Sequence, residues 1–422
     1  MPKRSLNLEP IAYRIATIVA GAILVAVLLL ASTWFLGDSI AGAADVPEVL
    51  EYSKSMSPGN PKPYVALSGL REQSFRSEDV KAALENAEFA VAYSPHDFMS
   101  WRLLARLRER LGDIEGAEKA LRKSLELAPN HASVQWALGN LLLRQDKNPE
   151  GFRLMRTAVE QDRSYAGPAA SIAWDIYDGD IEKVKNSIGS SSRVQVALAV
   201  YLSKLKRFRE AVEIWKSIPA AERKADYAAE GRMILGELVA ATKFLSAVEL
   251  APDLQAAGET KPKVGSVTNG NFETLVGKEK PEFYEWLIPN GDVPRIGVSV
   301  EEKRSGAKSL AFYFEKAFKN EFRNVSQTVA LRGGASYTLT AFYKSSLRTD
   351  ATLAWQVADT AGAGILATSE PIQERSDWNT VEVSFDVPEG SEGVTIRLVR
   401  AQCARLRCPI VGKVWFDDIE VK

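Results

Sequence analysis

The chain has 422 residues, 46% hydrophobic and 25% charged, with a formal net charge of −1 at pH 7. This composition excludes a mostly disordered chain, and the near-zero charge offers no steering field for nucleic acid. Two histidines (His96, His131) and two cysteines (Cys403, Cys408) leave no material for a Ser-His-Asp triad, a multi-histidine metal centre or a zinc ribbon. The length allows about three domains.

Residues 15–36 read IATIVAGAILVAVLLLASTWFL, an almost unbroken apolar run. As a helix it would be about 33 Å long, enough to cross a bilayer core of ~30 Å. Lys3, Arg4 and Arg14 precede it, and no Lys or Arg follows until Lys54. The excess of positive charge on the N-terminal side predicts a cytoplasmic stub over 1–14, one transmembrane helix over 15–36 and the bulk of the chain outside. That is the topology of a single-pass protein of a bacterial inner membrane. Ala41-Gly42-Ala43 has the small-x-small pattern of a signal-peptidase site. The apolar run exceeds the ~7–15 residues of a cleaved leader's core, which favours an uncleaved anchor.

An oxidising compartment suits Cys403 and Cys408, which flank ARLR. A bridge between them would close a short loop worth about 2 kcal/mol; two free thiols are the alternative. Residues 37–63 carry Pro47, Pro58, Pro61 and Pro63 and predict an extended linker.

From 64 onward a period of 34 emerges. Leu70, Leu104 and Leu138 share that spacing, as do Ala83, Ala117 and Gly151, then Ala90, Ser124 and Ala158, and finally Pro95 and Pro129. Small residues recur where helices must approach closely, and proline where each unit ends. Within one unit, WRLLARLRERLGDIEGAEKALRKSLELAP reads as two helices joined at Leu111-Gly112-Asp113. This stretch resembles the tetratricopeptide repeat family in Trp101, Leu104, Ala105, Gly112, Ala117, Leu121, Ser124 and Pro129. The following unit departs from it, with Gln135 in place of Trp101 and Arg163 where the others have proline. Degenerate helical pairs continue to about residue 250, so 64–250 reads as a helical repeat array whose units must stack to bury their apolar faces.

Arg102, Arg106 and Arg110 fall at i, i+4 and i+8 on one helix face, and Trp136, Asn140 and Arg144 follow one period later. Such a groove would hold an acidic peptide or an anionic glycan through charge-assisted hydrogen bonds and stacking. A solvated face paired with Glu109, Glu115 and Glu118 is the alternative. The family resemblance implies a protein partner on this concave side.

After a linker over 251–265, alternation replaces helical spacing. SYTLTAFYKS, NTVEVSFDV, EGVTIRLVR and KVWFDDIEV are period-two strands with Asn269-Gly270, Gly333-Gly334 and Val411-Gly412 turns. Nine or ten strands over 266–422 predict an antiparallel β-sandwich or jelly roll. The fold class is therefore multidomain: one apolar helix, an all-α repeat array and an all-β sandwich.

The phrases NGNFE (269–273), Trp286, SGAKSLAFYF (305–314), VSQTVALRGGASYTLTAFYKS (325–345), Trp378 with VSFDVPEG (383–390) and VWFDDIEV (414–421) follow the order found in carbohydrate-binding modules of the galactose-binding-like superfamily, which this region resembles. The resemblance implies a structural Ca²⁺ joining the first and last strands, with Glu273 and either Asp417 or Asp418 as ligands; alternation turns the two Asp side chains to opposite faces, and capping of strand ends is the other role for these acids. Stacking on a pyranose needs aromatic rings, for which Tyr284, Trp286, Phe342 and Trp355 are candidates, with core packing the competing role for Trp286 and Trp355. Trp378 and Trp415 sit in phrases that normally pack the core.

GAGILA (362–367) spells a dinucleotide motif, but strand-like text follows it and no helix begins there. No Walker motif, HExxH or G-x-S-x-G occurs, and no catalytic residue is assigned. The expectation is a membrane-anchored adaptor, not an enzyme. Its helical array recruits a protein and its sandwich contacts glycan, as polysaccharide assembly or export would require. A purely protein-binding scaffold is the alternative, and a glycan-cleaving enzyme using Glu273 and Asp417 is a third reading.

Overall fold

The structure is a computed structural model that describes residues 11–256, 259–315, 322–349, 351–362, 364–400 and 409–422. Cys403 and Cys408, like Lys3 and Arg4, lie outside the described residues. Two compact units divide the chain, 1–190 and 191–422.

The first unit opens with α1 (Ile11–Ala43), a single uninterrupted helix. Every residue from Tyr13 to Leu36 is exposed, and burial begins at Gly37. The change has a sequence cause. Gly37 has no side chain, so Ser57 and Ser53 press against it; a Cβ there would meet Ser57 Oγ at 2.7 Å. The Ser53 hydroxyl donates to the Gly37 carbonyl at 2.6 Å.

The expected linker over 37–63 is instead helical. After the end of α1 come α2 (Pro47–Met56) and α3 (Pro61–Glu72). Pro47 and Pro61 stand in the first helical turn, where a missing N–H has no intrahelical partner to lose. The Asn60 side chain caps α3 by accepting from Lys62 N–H at 3.1 Å, and it donates to Asp38 at 2.9 Å. Ala41, Leu50 and Leu67 form a small core between the three helices. The prolines therefore punctuate helices rather than stretch the chain.

Paired helices follow: α4 (Ser77–Tyr93), α5 (Phe98–Arg110), α6 (Ile114–Leu127), α7 (Ala132–Leu143), α8 (Asn148–Gln161), α9 (Ala166–Ile176) and α10 (Ile181–Ile188). The 34-residue columns are the contact positions. Leu104, Leu138, Ala83, Ala117 and Ala158 are all buried. Gly151 packs so closely on the preceding helix that a Cβ would meet Leu143 Cδ2 at 2.7 Å and the Gly139 carbonyl at 3.0 Å.

The second unit holds α11 (Ser192–Lys204), α12 (Phe208–Ser217), α13 (Ala220–Ala225), α14 (Ala228–Ala240) and α15 (Phe244–Leu250), then the β-sandwich. Its strands are β1 (Arg295–Ser299), β2 (Ser309–Phe314), β3 (Ser326–Ala330), β4 (Ser336–Thr349), β5 (Leu353–Asp359), β6 (Ile365–Thr368), β7 (Arg375–Asp386), β8 (Gly393–Arg400) and β9 (Ile410–Val421). One sheet has the order β1-β2-β9-β4-β7, the other β3-β8-β5-β6, and every pairing is antiparallel. Alternate residues of both sheets, among them Phe312, Leu339, Trp355, Ile396 and Phe416, fill the space between them.

The boundary expected at 251–265 is not an open spacer. Trp215 Nε1 donates to Asp253 at 3.0 Å, and Gln255 Nε2 donates to the Tyr284 hydroxyl at 2.9 Å. Phe244 and Val248 of α15 pack on Ala330 of β3. Glu392 receives Lys243 Nζ at 3.1 Å and Leu245 N–H at 3.2 Å. Apolar and charged contacts together weld the last helices to the sandwich.

Candidate binding surfaces

In the first unit, α3, α5 and α7 present the side on which the cationic stripe was expected. The arginines are there, but they have partners. Arg106 makes a two-pronged ion pair with Glu72, one arm at 2.5 Å, and Arg110 donates to the carbonyls of Glu72 and Ser74, the latter at 2.7 Å. Arg144 pairs with Glu109. Arg106 and Arg144 are thus paired with acids of the preceding repeat, and Arg110 is held by the helix end before it. Arg102 is half-buried, with no hydrogen-bond partner for its Nε among the described residues. Trp136 stacks on Tyr165 with ring centroids 4.7 Å apart, and Asn140 donates to the Trp136 carbonyl at 3.0 Å.

What remains between α3 and α5 is an open groove of ≈ 750 Å³ lined by Ala44, Ala66, Gly69, Leu70, Arg106 and Arg110 among others. Its floor is apolar and its rim carries Asp45, Glu72 and the two arginines. A groove of this kind selects for shape and mixed polarity, not for a uniformly acidic ligand.

In the sandwich, three of the four expected sugar-stacking rings are buried. Trp286 is buried, donates from Nε1 to the Asn269 carbonyl at 3.1 Å, and meets Trp355 edge-on at 6.1 Å. Trp355 is buried against Phe416. Tyr284 is buried with its hydroxyl held by Gln255, and burial pushes that phenol's pKa up. Phe342 alone stands on an outer face, half-buried, with the Arg304 guanidinium 3.4 Å above its ring centre. Trp415 is buried yet joins no core cluster among the described residues, and Trp378 is half-exposed. Trp415 is thus buried as its phrase led one to expect, whereas Trp378 is only partly so.

The acids near the first and last strands meet one loop. Glu273 Oε1 accepts from Ala307 N–H at 2.7 Å and Lys308 N–H at 3.1 Å. Asp417, wholly buried, accepts from Arg304 N–H at 2.9 Å and Ser305 N–H at 3.1 Å. Burial raises the Asp417 pKa against the pull of these backbone donors, and the neighbouring Asp418 adds to the rise. Asp418 itself is engaged by the Arg304 guanidinium at 2.5 Å and the Ser305 hydroxyl at 2.8 Å. No three His, Cys, Asp or Glu side chains converge as a metal site among the described residues. The carboxylates of Glu273 and Asp417 fit the oxygen chemistry of a hard cation, whereas Asp418, neutralised by an arginine, does not. A cation here would need backbone carbonyls to complete its shell.

The four-stranded sheet carries a further, non-aromatic feature. Register places Ser326, Arg397, Gln356 and Thr368 side by side across β3, β8, β5 and β6. They point away from the core, since Val394, Ile396, Leu398, Trp355 and Val357 point into it. Arg397 Nε donates to Gln356 Oε1 at 2.7 Å, and Gln356 Nε2 donates to the Thr368 hydroxyl at 3.3 Å. The result is a row of guanidinium, amide and hydroxyl groups at the ~4.8 Å strand spacing. Period-two alternation through EGVTIRLVR already put Arg397 opposite Ile396 and Leu398, so the signal was present in the sequence.

Residues 75–132 and 103–167 match the tetratricopeptide repeat family model. No curated protein matches the chain. Among solved structures, a CBM4 structure is 19% identical over 37% of this chain and 98% of its own, with a TM-score of 0.28. The CBM22-1 xylan-binding domain of Paenibacillus barcinonensis Xyn10C is 14% identical over 40% of this chain and 97% of its own, TM-score 0.25. YrrB, a TPR protein with an unusual peptide-binding site, is 13% identical over 50% of this chain and 92% of its own, TM-score 0.27.

Proposed function

We propose that the chain is a membrane-anchored adaptor, in which the helical repeats bind a protein segment and the sandwich binds glycan outside the cytosol. The observation that carries the sugar half is the outward row Ser326–Arg397–Gln356–Thr368, whose donors and acceptors have the spacing and mixed character that hydroxyl-rich ligands require. The protein half rests on the match of residues 75–167 to tetratricopeptide repeats and on the α3–α5 groove.

Support for anchoring comes from α1. It is long and apolar enough to cross a bilayer by length and composition. Its last turns are part of a folded core, with Ala41 buried against Leu50 and Leu67. Cleavage at Ala41-Gly42-Ala43 would cut through that core, which favours a helix that stays attached. A bacterial envelope setting, with a role in polysaccharide assembly or export, follows as part of the same proposal.

The adaptor performs no bond-breaking chemistry in this reading. Glu273 and Asp417 grip the amides of one loop rather than flanking a cleft, which gives them a structural role. A Ca²⁺ held by these two would tie the opening segment to β9 and supply no reaction.

A second reading, a scaffold that binds only protein, is favoured by the burial of Trp286, Trp355 and Tyr284. A glycan array probed with the detergent-solubilised full chain separates the two. Binding that is lost in Arg397→Ala and Gln356→Ala supports the adaptor. Absence of binding to every glycan by a folded chain supports the scaffold.

A further inference from the structure

The first helical layer has two ends, and they differ. The helices alternate in direction. From Leu36, where the unbroken exposed run ends, α1 continues through Gly37 to Ala43, about 10 Å. α2 then returns, bringing Ser57 back against Gly37. The next helix, α3, starts beside Asp38, which holds Asn60 at 2.9 Å and Lys62 at 2.6 Å. α4 returns once more and ends at Tyr93, whose ring lies 3.9 Å from where a Cβ on Gly59 would sit. The end of α2, the start of α3 and the end of α4 are therefore level with residues 37–38 of α1.

That end is aromatic. Tyr64 and Phe89 have ring centroids 5.5 Å apart, Tyr64 and Tyr93 also 5.5 Å, and Phe89 stacks on Tyr93 at 6.5 Å. Phe89 is 53% exposed and Tyr93 46%. Lys54 Nζ lies 5.2 Å from the Tyr64 ring centre and 2.7 Å from the Glu51 carboxylate. Among the described residues no apolar neighbour covers the outer side of Phe89 and Tyr93, and a patch of this composition is disfavoured against bulk water. On α1 itself Trp34 and Phe35 are exposed just below the same level.

Resting on the proposal that α1 spans a bilayer, we infer that this end of the α3–α4 hairpin sits in the interfacial layer beside the exit of α1, with Tyr64, Phe89 and Tyr93 as an aromatic foot and Lys54 toward lipid phosphates. Three considerations select a lipid surface over a protein. The layer's outermost turns begin within one helical turn of the end of the apolar span. The interfacial zone is about 5–7 Å deep on each side of the core, which the foot would occupy. Tyr and Lys are residues that such a zone favours. The foot would fix the repeats' orientation to the membrane and keep the groove between α3 and α5 at a set height above it.

Photo-crosslinking of the full chain tests this. p-Benzoylphenylalanine replaces Phe89 or Tyr93, Phe75 in the α3–α4 turn at the opposite end of the hairpin, or Val25 in the middle of α1. Each variant is reconstituted in vesicles of phosphatidylethanolamine and phosphatidylglycerol carrying an alkyne-tagged lipid. Lipid adducts at 25, 89 and 93, with none at the fully exposed 75, are expected. Adducts at 25 without lipid adducts at 89 and 93 overturn the foot and leave the anchor standing, as does crosslinking of 89 and 93 to protein instead of lipid. Equal lipid adducts at 75 and 89 also overturn it. Absence of adducts at 25 removes the anchor and the foot together.

Discussion

Trp101 and Gln135, 34 residues apart, make the same hydrogen bond. Trp101 Nε1 donates to the Pro95 carbonyl at 2.8 Å and Gln135 Nε2 to the Pro129 carbonyl at 2.6 Å. Each bond ties the start of a helix to the turn that closes the preceding unit. Gln135→Met keeps the volume and removes the donor. We expect a loss of about 1 kcal/mol, with Trp101→Phe costing a similar amount. Urea denaturation of the full chain in detergent checks both; an unchanged midpoint in Gln135→Met would show the bond to be energetically idle.

Close approach of α7 and α8 depends on two glycines. Cβ atoms at Gly139 and Gly151 would each meet backbone oxygen at 3.0 Å, and the one at Gly151 would also meet Leu143. Gly139→Ala and Gly151→Ala should each destabilise the repeats by about 1–3 kcal/mol through overpacking. Gly69 is the contrasting case, for nothing lies within 4 Å of its would-be Cβ and it lines the groove. Gly69→Trp should leave the melting temperature unchanged while filling the groove. Retained capture of the protein partner by Gly69→Trp would move the binding site elsewhere.

The repeats should lose stability in acid through one network. Glu118 is held by Lys147 and Arg122, which lower its pKa to about 2, and Arg122 also pairs with Glu150 at 2.9 Å. A carboxylate depressed in the folded state contributes stability that is present above its ordinary pKa and is lost as pH falls toward the folded value. The urea midpoint should therefore drop between about pH 5 and about pH 2, and less steeply in Glu118→Gln. Identical pH profiles for the two proteins would exclude this network as the cause.

If Glu273 and Asp417 share a Ca²⁺, chelator should lower the melting temperature of the sandwich in the full chain, and added Ca²⁺ should restore it. Glu273→Gln should abolish that response while Asp418→Asn, which touches Arg304 instead, retains it. A chelator-insensitive melt would leave the two acids as anchors of loop 304–308 alone.

Period and alternation made the architecture legible because both follow from burial: Leu104 and Leu138 recur at contacts, and Ile396 and Leu398 flank outward Arg397. Of the groove acids, Glu109, which pairs with Arg144, was legible as a partner in the solvated-face alternative, but Glu72, the partner of Arg106, was not, because it belongs to the preceding repeat. Reading the same period backwards from Arg106 would have found Glu72. Pro47 and Pro61 misled because a proline begins a helix as readily as it ends one. Trp286 and Trp355 were ambiguous in principle, since a large ring serves a core and a sugar equally well, and only the sheet packing decides.

Protease shaving of intact spheroplasts tests the central claim most directly, because both binding surfaces must lie beyond the membrane on the C-terminal side of α1. The account predicts that external protease digests the chain beyond Ala43, the exposed residues 259–261 included, and leaves an α1-sized fragment in the membrane. Full protection of the repeats and sandwich until the membrane is opened would contradict it.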